Sequence, residues 1–349
     1  MNDIVSREIH LRRRPVGMPQ ESDFEVAETK APPVKDGQVL VRNLWMSVDP
    51  YMRFHMMEQK HYPVWPLNGP GGALAIGKVV ESRSPEWKVG DYVGSGLGWR
   101  EYFVADGHAT PQPSHRWRPP LMKIDPTLGP LRSYLGNLGM PGFSGYIGLL
   151  RIGALKPGET VLVSGAAGAV GVVVCQIAKA MDCTVIGLAG ADEKCDWLKR
   201  VAKVDHAINY RTAGPLKKAV RAVAGEGVDV FFDNVGGEAL EAALGNMRHF
   251  GRLVICGTIS QYNTTSKPVG PANLNLVVPN ALRLEGFEVG DHWDLEPKFY
   301  EDMARWIATG KMDLHDTVVE GIENAPKALI GLFKGENLGK MLVRIGPED

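Results

Sequence analysis

The chain has 349 residues, of which 44% are hydrophobic and 23% are charged, and its formal net charge is −1. This length predicts two domains. So small a net charge excludes the electrostatic footprint of a protein that binds nucleic acid or an anionic membrane surface. No apolar run approaches the ~20 residues that a membrane-spanning helix needs.

The N-terminal part of the chain has the pattern of a mostly β domain, which we assign to residues 1–133. Short apolar runs lie between turns rich in Pro and Gly, as is typical of strands. These runs are "GQVLVRNLWMSVD" (37–49), "IGKVVES" (76–82) and "KVGDYVG" (88–94), the last entered through a tight turn.

Further along, apolar strands alternate with helical patterns such as "VGVVVCQIAKAM" and "GEALEAALGNM". The strands are "TVLVS" (160–164), "TVIGLA" (184–189), "HAIN" (206–209), "VDVFFD" (228–233) and "GRLVIC" (251–256). This alternation predicts an α/β domain over residues 134–312, with a doubly wound parallel sheet of the Rossmann type. The tail "LGKMLVRIG" (338–346) is again strand-like, and we expect residues 313–349 to return to the first domain.

The sequence "LVSGAAGAVGVVVCQIAKA" (162–180) leads from a strand through a loop of small residues into a helix. Aligned on the dinucleotide fingerprint G-x-G-x-x-G, it has Ala166, Gly168 and Gly171 in the three slots. Gly168 would let the backbone approach a pyrophosphate, and Gly171 would let the helix pack closely on the sheet. The alternative is a purely structural turn, but the βα units that follow favour a nucleotide site.

The choice between NAD and NADP depends on the end of the second strand. A site for NAD usually has an acidic residue there, whereas this strand ends in Ala189-Gly190. Asp192 comes slightly later and can be explained as the cap of the next helix. Gly190 leaves room for a 2′-phosphate, Lys194 can supply positive charge, and Tyr210 can add a hydroxyl donor. A lone lysine is by default a solvent-exposed residue, so the missing acid is the better evidence for NADP(H).

The order of a β domain, a Rossmann domain and a returning tail resembles the medium-chain dehydrogenase/reductase superfamily. Six spaced motifs are similar to its zinc-independent branch, which contains prostaglandin reductases, plant alkenal double-bond reductases and bacterial curcumin reductases. One is the loop 162–180 with alanine in the first slot. The others are "MSVDPYMR" (46–53), "LGMPGFSGYIGLL" (138–150), "FFDNVGGEAL" (231–240), "ICGTISQYN" (255–263) and "FKGENLGK" (333–340).

The resemblance implies a GroES-like first domain, a homodimer and a set of cofactor contacts. Carried over motif by motif, the implied cofactor residues are Gly168, Ala169, Val170, Gly171, Lys194, Tyr210, Asn234, Cys256, Gly257, Thr258, Ile259, Ser260, Tyr262, Phe287, Glu288, Val289 and Asn337. Glu288 stands where relatives usually carry an apolar residue. The segment 107–134, with "QPSHRWRPPLMK", is also unusual and can reshape the rim of the substrate cleft.

Cysteine usage argues against a zinc enzyme. All four cysteines follow residue 174, and none forms a CxxC pair. The first domain therefore has no thiolate for a cysteine-rich zinc lobe. His55, Glu58 and His61 can imitate a ligand cluster, but loop residues near a turn are the more ordinary explanation, so we expect no metal. Free thiols and the absence of a secretory h-region predict a cytoplasmic location.

Reduction of a C=C bond conjugated to a carbonyl needs no Lewis acid. The protein must orient the partners and stabilise an enolate, which a neutral tyrosine hydroxyl can do. Tyr262, at the end of the loop after "VICGT", and Tyr51, in "DPYMR", are the candidate catalytic residues; either could instead be an amphipathic core residue. Tyr51, Met52 and Met140 are the candidate substrate contacts, although methionine is often core filler.

The sequence thus predicts an NADPH-dependent ene reductase that acts on a small enone or alkenal, with no nucleic-acid or membrane partner. Two alternatives stay open at this point. One is an NADPH-dependent quinone reductase on the same fold, and the other is a non-catalytic NADPH-binding protein.

Overall fold

The computed structural model describes residues 4–108 and 121–348. The chain divides into two compact units, one made of Met1–Leu135 and Asp316–Asp349 and the other of Gly136–His315. Residues 109–120, which form much of the unusual segment 107–134, lie outside the described residues.

The regular elements are numbered in chain order within the described residues. The strands are β1 (Val5–Leu11), β2 (Phe24–Lys30), β3 (Gln38–Ser47), β4 (Ala75–Ser82), β5 (Tyr92–Ser95), β6 (Tyr102–Asp106), β7 (Met122–Lys123), β8 (Thr160–Val163), β9 (Thr184–Ala189), β10 (His206–Asn209), β11 (Val228–Asp233), β12 (Met247–Ile255), β13 (Arg283–Gly286), β14 (Asp316–Glu320) and β15 (Lys340–Arg344). The helices are α1 (Met52–His55), α2 (Met140–Tyr146), α3 (Ala169–Ala180), α4 (Asp192–Val201), α5 (Leu216–Val223), α6 (Gly237–Leu244), α7 (Glu296–Ala308) and α8 (Ala325–Lys334).

The second unit contains a parallel sheet of six strands in the order β10-β9-β8-β11-β12-β13. Counted along the chain, this is the 3-2-1-4-5-6 order of a dinucleotide-binding fold. Strands β8, β9 and β11 form near-continuous buried apolar runs, because helices cover both faces of such a sheet. The order reverses between β8 and β11, and in this fold ligands bind at the carboxyl ends of the strands beside such a reversal.

The first unit is mostly β. A seven-stranded sheet has the order β14-β15-β3-β4-β5-β7, and β6 pairs with β3 off this path. The C-terminal strand β15 lies antiparallel to β3, with Leu342 opposite Ser47. A buried cluster that includes Ile9, Met46 and Trp99 forms one core of this unit.

The predicted fold class is confirmed. Each quoted apolar run contains a strand, although β12 begins at Met247 rather than at Gly251. The hairpin β1–β2 and the strands β13 and β14 were not predicted, because their alternation is interrupted by charged residues. Among the described residues, no helix combines the length and the apolar character that crossing a membrane requires.

Candidate active site

The turn between β8 and α3 has the geometry of a dinucleotide-binding loop. Gly168 is the N-cap of α3, and its N–H donates to the Gly165 carbonyl at 3.0 Å. A Cβ added to Gly171 would lie 2.7 Å from the Ala166 Cα, so only glycine lets the helix approach the strand this closely. The first-turn amides of α3, from Ala169 to Gly171, have no acceptor within the helix, because an α-helix begins with such donors. This end of the helix can therefore receive an anion.

Sequence reasoning missed the residue that makes this turn possible. Gly165 has a φ of +57°, a conformation that favours glycine, whereas Ala166 in the first fingerprint slot is fully buried. The Ala166 N–H donates to the Leu188 carbonyl of β9 at 3.0 Å, so this residue joins the turn to the sheet. A glycine directly after a buried strand was the available signal.

The ends of β9 and β10 bring a tyrosine and two cations together. A Cβ at Gly190 would lie 2.5 Å from the Tyr210 hydroxyl oxygen and 3.3 Å from the Arg211 Nε, so both side chains converge above this glycine. Burial lowers the pKa of Lys194, and the nearby charge of Arg211 lowers it further. Two neighbouring positive charges repel each other, and an anion between them would relieve the repulsion. Arg211 was not among the predicted site residues, since one arginine after a strand carries no signal of its own.

Asp192 does not have the role expected of it. The N-cap of α4 is Ala191, and Asp192 is the first helical residue. Its Oδ1 accepts a hydrogen bond of 2.8 Å from the Asn209 side chain. The carboxylate therefore links α4 to the end of β10 and does not cap the helix.

A buried aspartate joins the strand ends on both sides of the reversal in strand order. Asp233 Oδ1 accepts hydrogen bonds from the Ser164 hydroxyl at 2.7 Å and from the Gly236 N–H at 2.9 Å. Burial raises the pKa of Asp233, although these hydrogen bonds favour the carboxylate and act to lower it. Asn234, predicted to lie along the cofactor, donates its Nδ2 to the Ser164 carbonyl at 2.8 Å. These contacts hold the carboxyl ends of β8 and β11 in a fixed relation.

The predicted loop from Cys256 to Tyr262 lies against the turn that follows β11. The Cys256 and Gly257 N–H groups both donate to the Asp233 carbonyl, at 2.9 and 3.0 Å. Further along, the Ser260 hydroxyl donates to the Val235 carbonyl at 2.6 Å. Burial, then the charges of Asp233 and Glu288, raises the pKa of Cys256 to about 12, so the thiol keeps its proton at neutral pH. The loop is thereby fixed to the centre of the sheet.

Tyr262 ends this loop with its hydroxyl turned back into it. The hydroxyl oxygen accepts a hydrogen bond of 3.3 Å from the Thr258 N–H. It would lie 3.1 Å from a Cβ at Gly257, so a larger residue at this position would press on the hydroxyl. The side chain is half-buried. A tyrosine hydroxyl in this position can still donate its own proton.

The segment from Phe287 to Val289 follows β13. All three of its side chains are half-buried. Gly148 faces Phe287, because a Cβ there would lie 2.9 Å from the Phe287 ring and 2.6 Å from that of Phe232. Gly148 belongs to a π-helical segment (Ile147–Ile152) that continues α2, a kind of irregularity that is frequent at functional sites. Met140, a predicted substrate contact, begins α2 and is half-buried.

The remaining predicted residues lie in the first unit. Tyr51 precedes α1, packs on the core of this unit, and has its ring centroid 5.2 Å from that of His55. Burial and then the charge of Asp49 raise the pKa of Tyr51 well above its usual range, so the hydroxyl stays neutral.

Met52 is completely buried in the core, which is the packing explanation weighed for it above. Asn337 is buried, and its Nδ2 donates to the Gly339 carbonyl at 2.7 Å.

The possible ligand trio in the first unit does not form a compact group. His55 is buried beside Tyr51, whereas the Glu58 carboxylate lies 3.3 Å from the Arg14 Nε. Within residues 4–108 and 121–348, no three His, Cys, Asp or Glu side chains are grouped so that they could hold a metal ion.

Comparisons with known proteins agree with this architecture. A family model described as the N-terminal domain of oxidoreductase matches residues 7–112, and one described as zinc-binding dehydrogenase matches residues 169–309. Prostaglandin reductase 1 of Bos taurus is 42% identical over 341 residues, which cover 96% of this chain and 97% of the relative. The 2-alkenal reductase (NADP(+)-dependent) of Nicotiana tabacum is 38% identical over 351 residues, or 99% of each chain.

The chain belongs to the medium-chain dehydrogenase/reductase superfamily. The resemblance to the branch of this superfamily that contains the prostaglandin and alkenal reductases is confirmed, since identity extends along nearly the whole chain. Among solved structures, CurA of Vibrio vulnificus in complex with NADPH has a TM-score of 0.87 at 35% identity, covering 98% of this chain and 99% of CurA. The residues of this superfamily member that would bind cofactor and substrate remain predictions.

Proposed function

We propose that this protein reduces the C=C bond of α,β-unsaturated ketones and aldehydes with NADPH. The observation that carries the proposal is the group formed by Gly190, Lys194, Tyr210 and Arg211, in a chain 38% identical to an NADP(+)-dependent 2-alkenal reductase over 99% of its length. A hydroxyl and a cation above Gly190, with the second cation Lys194 close enough to feel the charge of Arg211, fit a 2′-phosphate. An acidic residue that would bond the ribose of NAD is missing from the strand end.

The second unit would hold the cofactor. The α3 N-terminus and Gly168 would take the pyrophosphate, and Lys194, Tyr210 and Arg211 would take the 2′-phosphate. The loop from Cys256 to Tyr262 and the Phe287–Val289 segment would border the nicotinamide half. When bound, NADPH supplies the hydride that adds to the β-carbon of the substrate.

The residues of the chain would handle the charge that hydride addition creates. Addition to the β-carbon moves negative charge onto the carbonyl oxygen, and a neutral hydrogen-bond donor stabilises the resulting enolate before the α-carbon is protonated. We propose Tyr262 as this donor. Tyr51 would orient the carbonyl through its neutral hydroxyl. Met140 would supply apolar surface near the substrate, whereas Met52 packs in the core of the first unit and is not part of this surface.

We propose that the reaction proceeds without a metal ion. An enolate formed by conjugate addition needs only a neutral donor, whereas the alkoxide of a simple alcohol oxidation is usually stabilised by zinc. The first unit also has no cysteine to serve as a thiolate ligand. We expect an excess of EDTA to leave turnover unchanged, because a chelator removes the metal from a site that depends on one. Loss of turnover that zinc restores would contradict the metal-free mechanism.

The test of the proposed function is NADPH oxidation with a medium-chain 2-alkenal, a simple enone and a panel of quinones, with the products identified by mass and by NMR in parallel. We expect the alkenal and enone products to be heavier by two hydrogens with the carbonyl intact. Oxidation with quinones alone would make the chain a quinone reductase. Tight NADPH binding without consumption by either class would make it a non-catalytic binding protein.

We further propose a homodimer in the cytoplasm. Strand β13 lies at the end of its sheet, and an edge strand can pair with a second copy. Apolar side chains are well exposed shortly before β13 and on the neighbouring strand β12, with Val278 at 83% and Phe250 at 68%. The four cysteines are free, which suits a reducing compartment. Light scattering after size exclusion tests the dimer, and a Val278→Asp variant that remained fully dimeric would argue against this edge.

A further inference from the structure

The motif "FKGENLGK" ends in a lysine to which the proposed function gives no role. Lys340 is the first residue of β15, and only 2% of it is exposed. Lysine is almost never this deeply buried unless its charge is paired. The burial of this lysine therefore needs an explanation beyond packing.

The Lys340 ammonium has an acceptor for each of its three donors. Nζ donates to the Val48 carbonyl at 2.6 Å, to Asp49 Oδ1 at 3.0 Å and to the Met341 carbonyl at 3.0 Å. The other oxygen of Asp49 accepts a hydrogen bond from the Ser47 hydroxyl. Asp49 is itself only 9% exposed. The pair is thus a buried and fully hydrogen-bonded ion pair.

The Lys340–Asp49 ion pair lies at the end of the pairing between β15 and β3. Strands β15 and β3 are paired up to Ser47, and the Val48 N–H still donates to the Met341 carbonyl at 3.2 Å. Beyond that point the chain turns at Pro50, and Lys340 holds the first two residues of the turn. The Met52 N–H donates to the Asp49 carbonyl at 3.2 Å, so the residue between them, Tyr51, takes its position from the same turn.

The other side of the ion pair is the loop that carries Asn337. The Leu338 N–H donates to the Thr317 hydroxyl at 2.9 Å, and Gly339 has a φ of +67° that lets the loop enter β15. Asn337 Nδ2 is bonded to the Gly339 carbonyl, one residue before Lys340. Two predicted site residues, Tyr51 and Asn337, are therefore fixed relative to each other through one lysine.

We propose that Lys340 is a positioning residue that acts through Asp49 to hold the 48–52 turn, and so Tyr51, in the geometry needed for reduction. A buried ion pair is a weak source of stability, because the cost of removing both charges from water offsets their attraction. An apolar side chain could fill the same space. The ion pair instead fixes the direction of the 48–52 turn. The proposed effect on catalysis rests on the proposed function, whereas the fixed direction of the turn does not.

The test compares Lys340→Met, Asp49→Asn and the double variant with the wild type. The matched control is Lys334→Met, which changes an exposed lysine in the same motif. For each variant, kcat and KM are measured with an enone, NADPH affinity by fluorescence, the unfolding midpoint by heating, and amide exchange of the 48–56 peptide by mass spectrometry.

We expect Lys340→Met to lower kcat/KM for the enone by about tenfold or more, since a misplacement of one ångström can cost a hundredfold. Amide exchange should speed up in the 48–56 peptide and not in 76–82. Lys340→Met leaves the Asp49 carboxylate buried without a partner, and the double variant removes that charge as well. Its unfolding midpoint should therefore return toward that of the wild type, while kcat/KM stays low. Lys334→Met should match the wild type in every measurement.

Recovery of kcat/KM together with stability in the double variant would reduce Lys340 to a structural residue and overturn the proposal. Unchanged exchange in the 48–56 peptide of a folded Lys340 variant would do the same. If Lys340→Met does not fold, Asp49→Asn, which keeps an oxygen acceptor, carries the comparison. A wild type that reduces no enone defeats the proposed function, whereas the exchange measurement still decides whether Lys340 holds the turn.

Discussion

Two turns in this molecule follow strand ends and are held in different ways. The turn at residues 165–171 of the second unit is fixed mainly by its own residues, for example by the hydrogen bond of 3.0 Å from the Gly168 N–H to the Gly165 carbonyl. The turn at 48–52 of the first unit is held by a lysine 292 residues from Val48 in the sequence. The first can therefore be recognised from local spacing, whereas the second depends on a partner that spacing does not reveal.

The largest effect is expected from breaking the local turn. In Gly171→Val the added side chain would run into the Ala166 backbone, and only 2.7 Å separates the Cβ from the Ala166 Cα. We expect NADPH affinity to fall by about a hundredfold, or about 2.7 kcal/mol, and the free energy of unfolding to fall by about 1–3 kcal/mol. Fluorescence titration and urea unfolding measure the two effects.

The matched control is Gly270→Ala, because no atom lies within 4 Å of a Cβ at Gly270 and its φ is not positive. This variant should stay within about 0.5 kcal/mol of the wild type. Equal NADPH binding by Gly171→Val and Gly270→Ala would remove the turn from the cofactor site.

The next effect separates the two tyrosines, one in each unit. We expect Tyr262→Phe to lower kcat by about tenfold to a hundredfold, with NADPH affinity little changed, because it removes a donor needed in the transition state. Tyr51→Phe should instead act mainly on KM for the enone. Steady-state kinetics with both substrates measures the split, and an unchanged kcat in Tyr262→Phe would exclude that hydroxyl from the mechanism.

A smaller effect is expected at the cations of the second unit. Lys194→Ala and Arg211→Ala should each weaken NADPH binding by about tenfold, since a hydrogen bond between charged groups contributes about 1.5–3 kcal/mol and these side chains are partly exposed. NADH binding should not change, because it has no 2′-phosphate. Lys199→Ala, an exposed lysine on the same helix, is the control. Parallel losses of NADPH and NADH affinity would place these cations elsewhere than at the 2′-phosphate.

The smallest effect concerns Cys256, which is half-buried in the loop of the second unit. Its pKa is raised to about 12, so the reactive thiolate is a minor species until the pH nears that value. Iodoacetamide at pH 8 should therefore leave Cys256 unlabelled and turnover unchanged over the time in which free cysteine reacts completely. Mass spectrometry measures the labelling, and rapid modification in the same experiment would show that the thiol ionises far more readily than this environment allows.

Much of the second unit could be predicted, because its signals are local. Continuous apolar runs mark β8 to β11, and the small residues after β8 mark the nucleotide turn. Prediction failed where the backbone conformation or a contact between neighbouring strands determines which residues come together. The φ of Gly165, rather than the fingerprint slot at Ala166, makes the turn, and Arg211 reaches Gly190 only because β10 lies beside β9.

In the first unit, prediction reached β3, β4, β5 and β15, but it missed the hairpin β1–β2 and failed at the side-chain contacts. The run 37–49 predicted β3, but nothing in it indicated that Asp49 would meet Lys340. The short and charged strands β13, in the second unit, and β14, in the first, were missed for a related reason. Each is held by a neighbouring strand rather than by its own apolar alternation.

The sequence by itself determined the α/β architecture, the nucleotide turn and the branch of the superfamily, because apolar periodicity and closely spaced glycines express their physical constraints within a few residues. Only the tertiary structure decided that Lys194 and Arg211 would share one corner and that Lys340 would hold the 48–52 turn. Charges interact through space, and folding brings residues that lie far apart in the sequence, such as Asp49 and Lys340, into a buried ion pair.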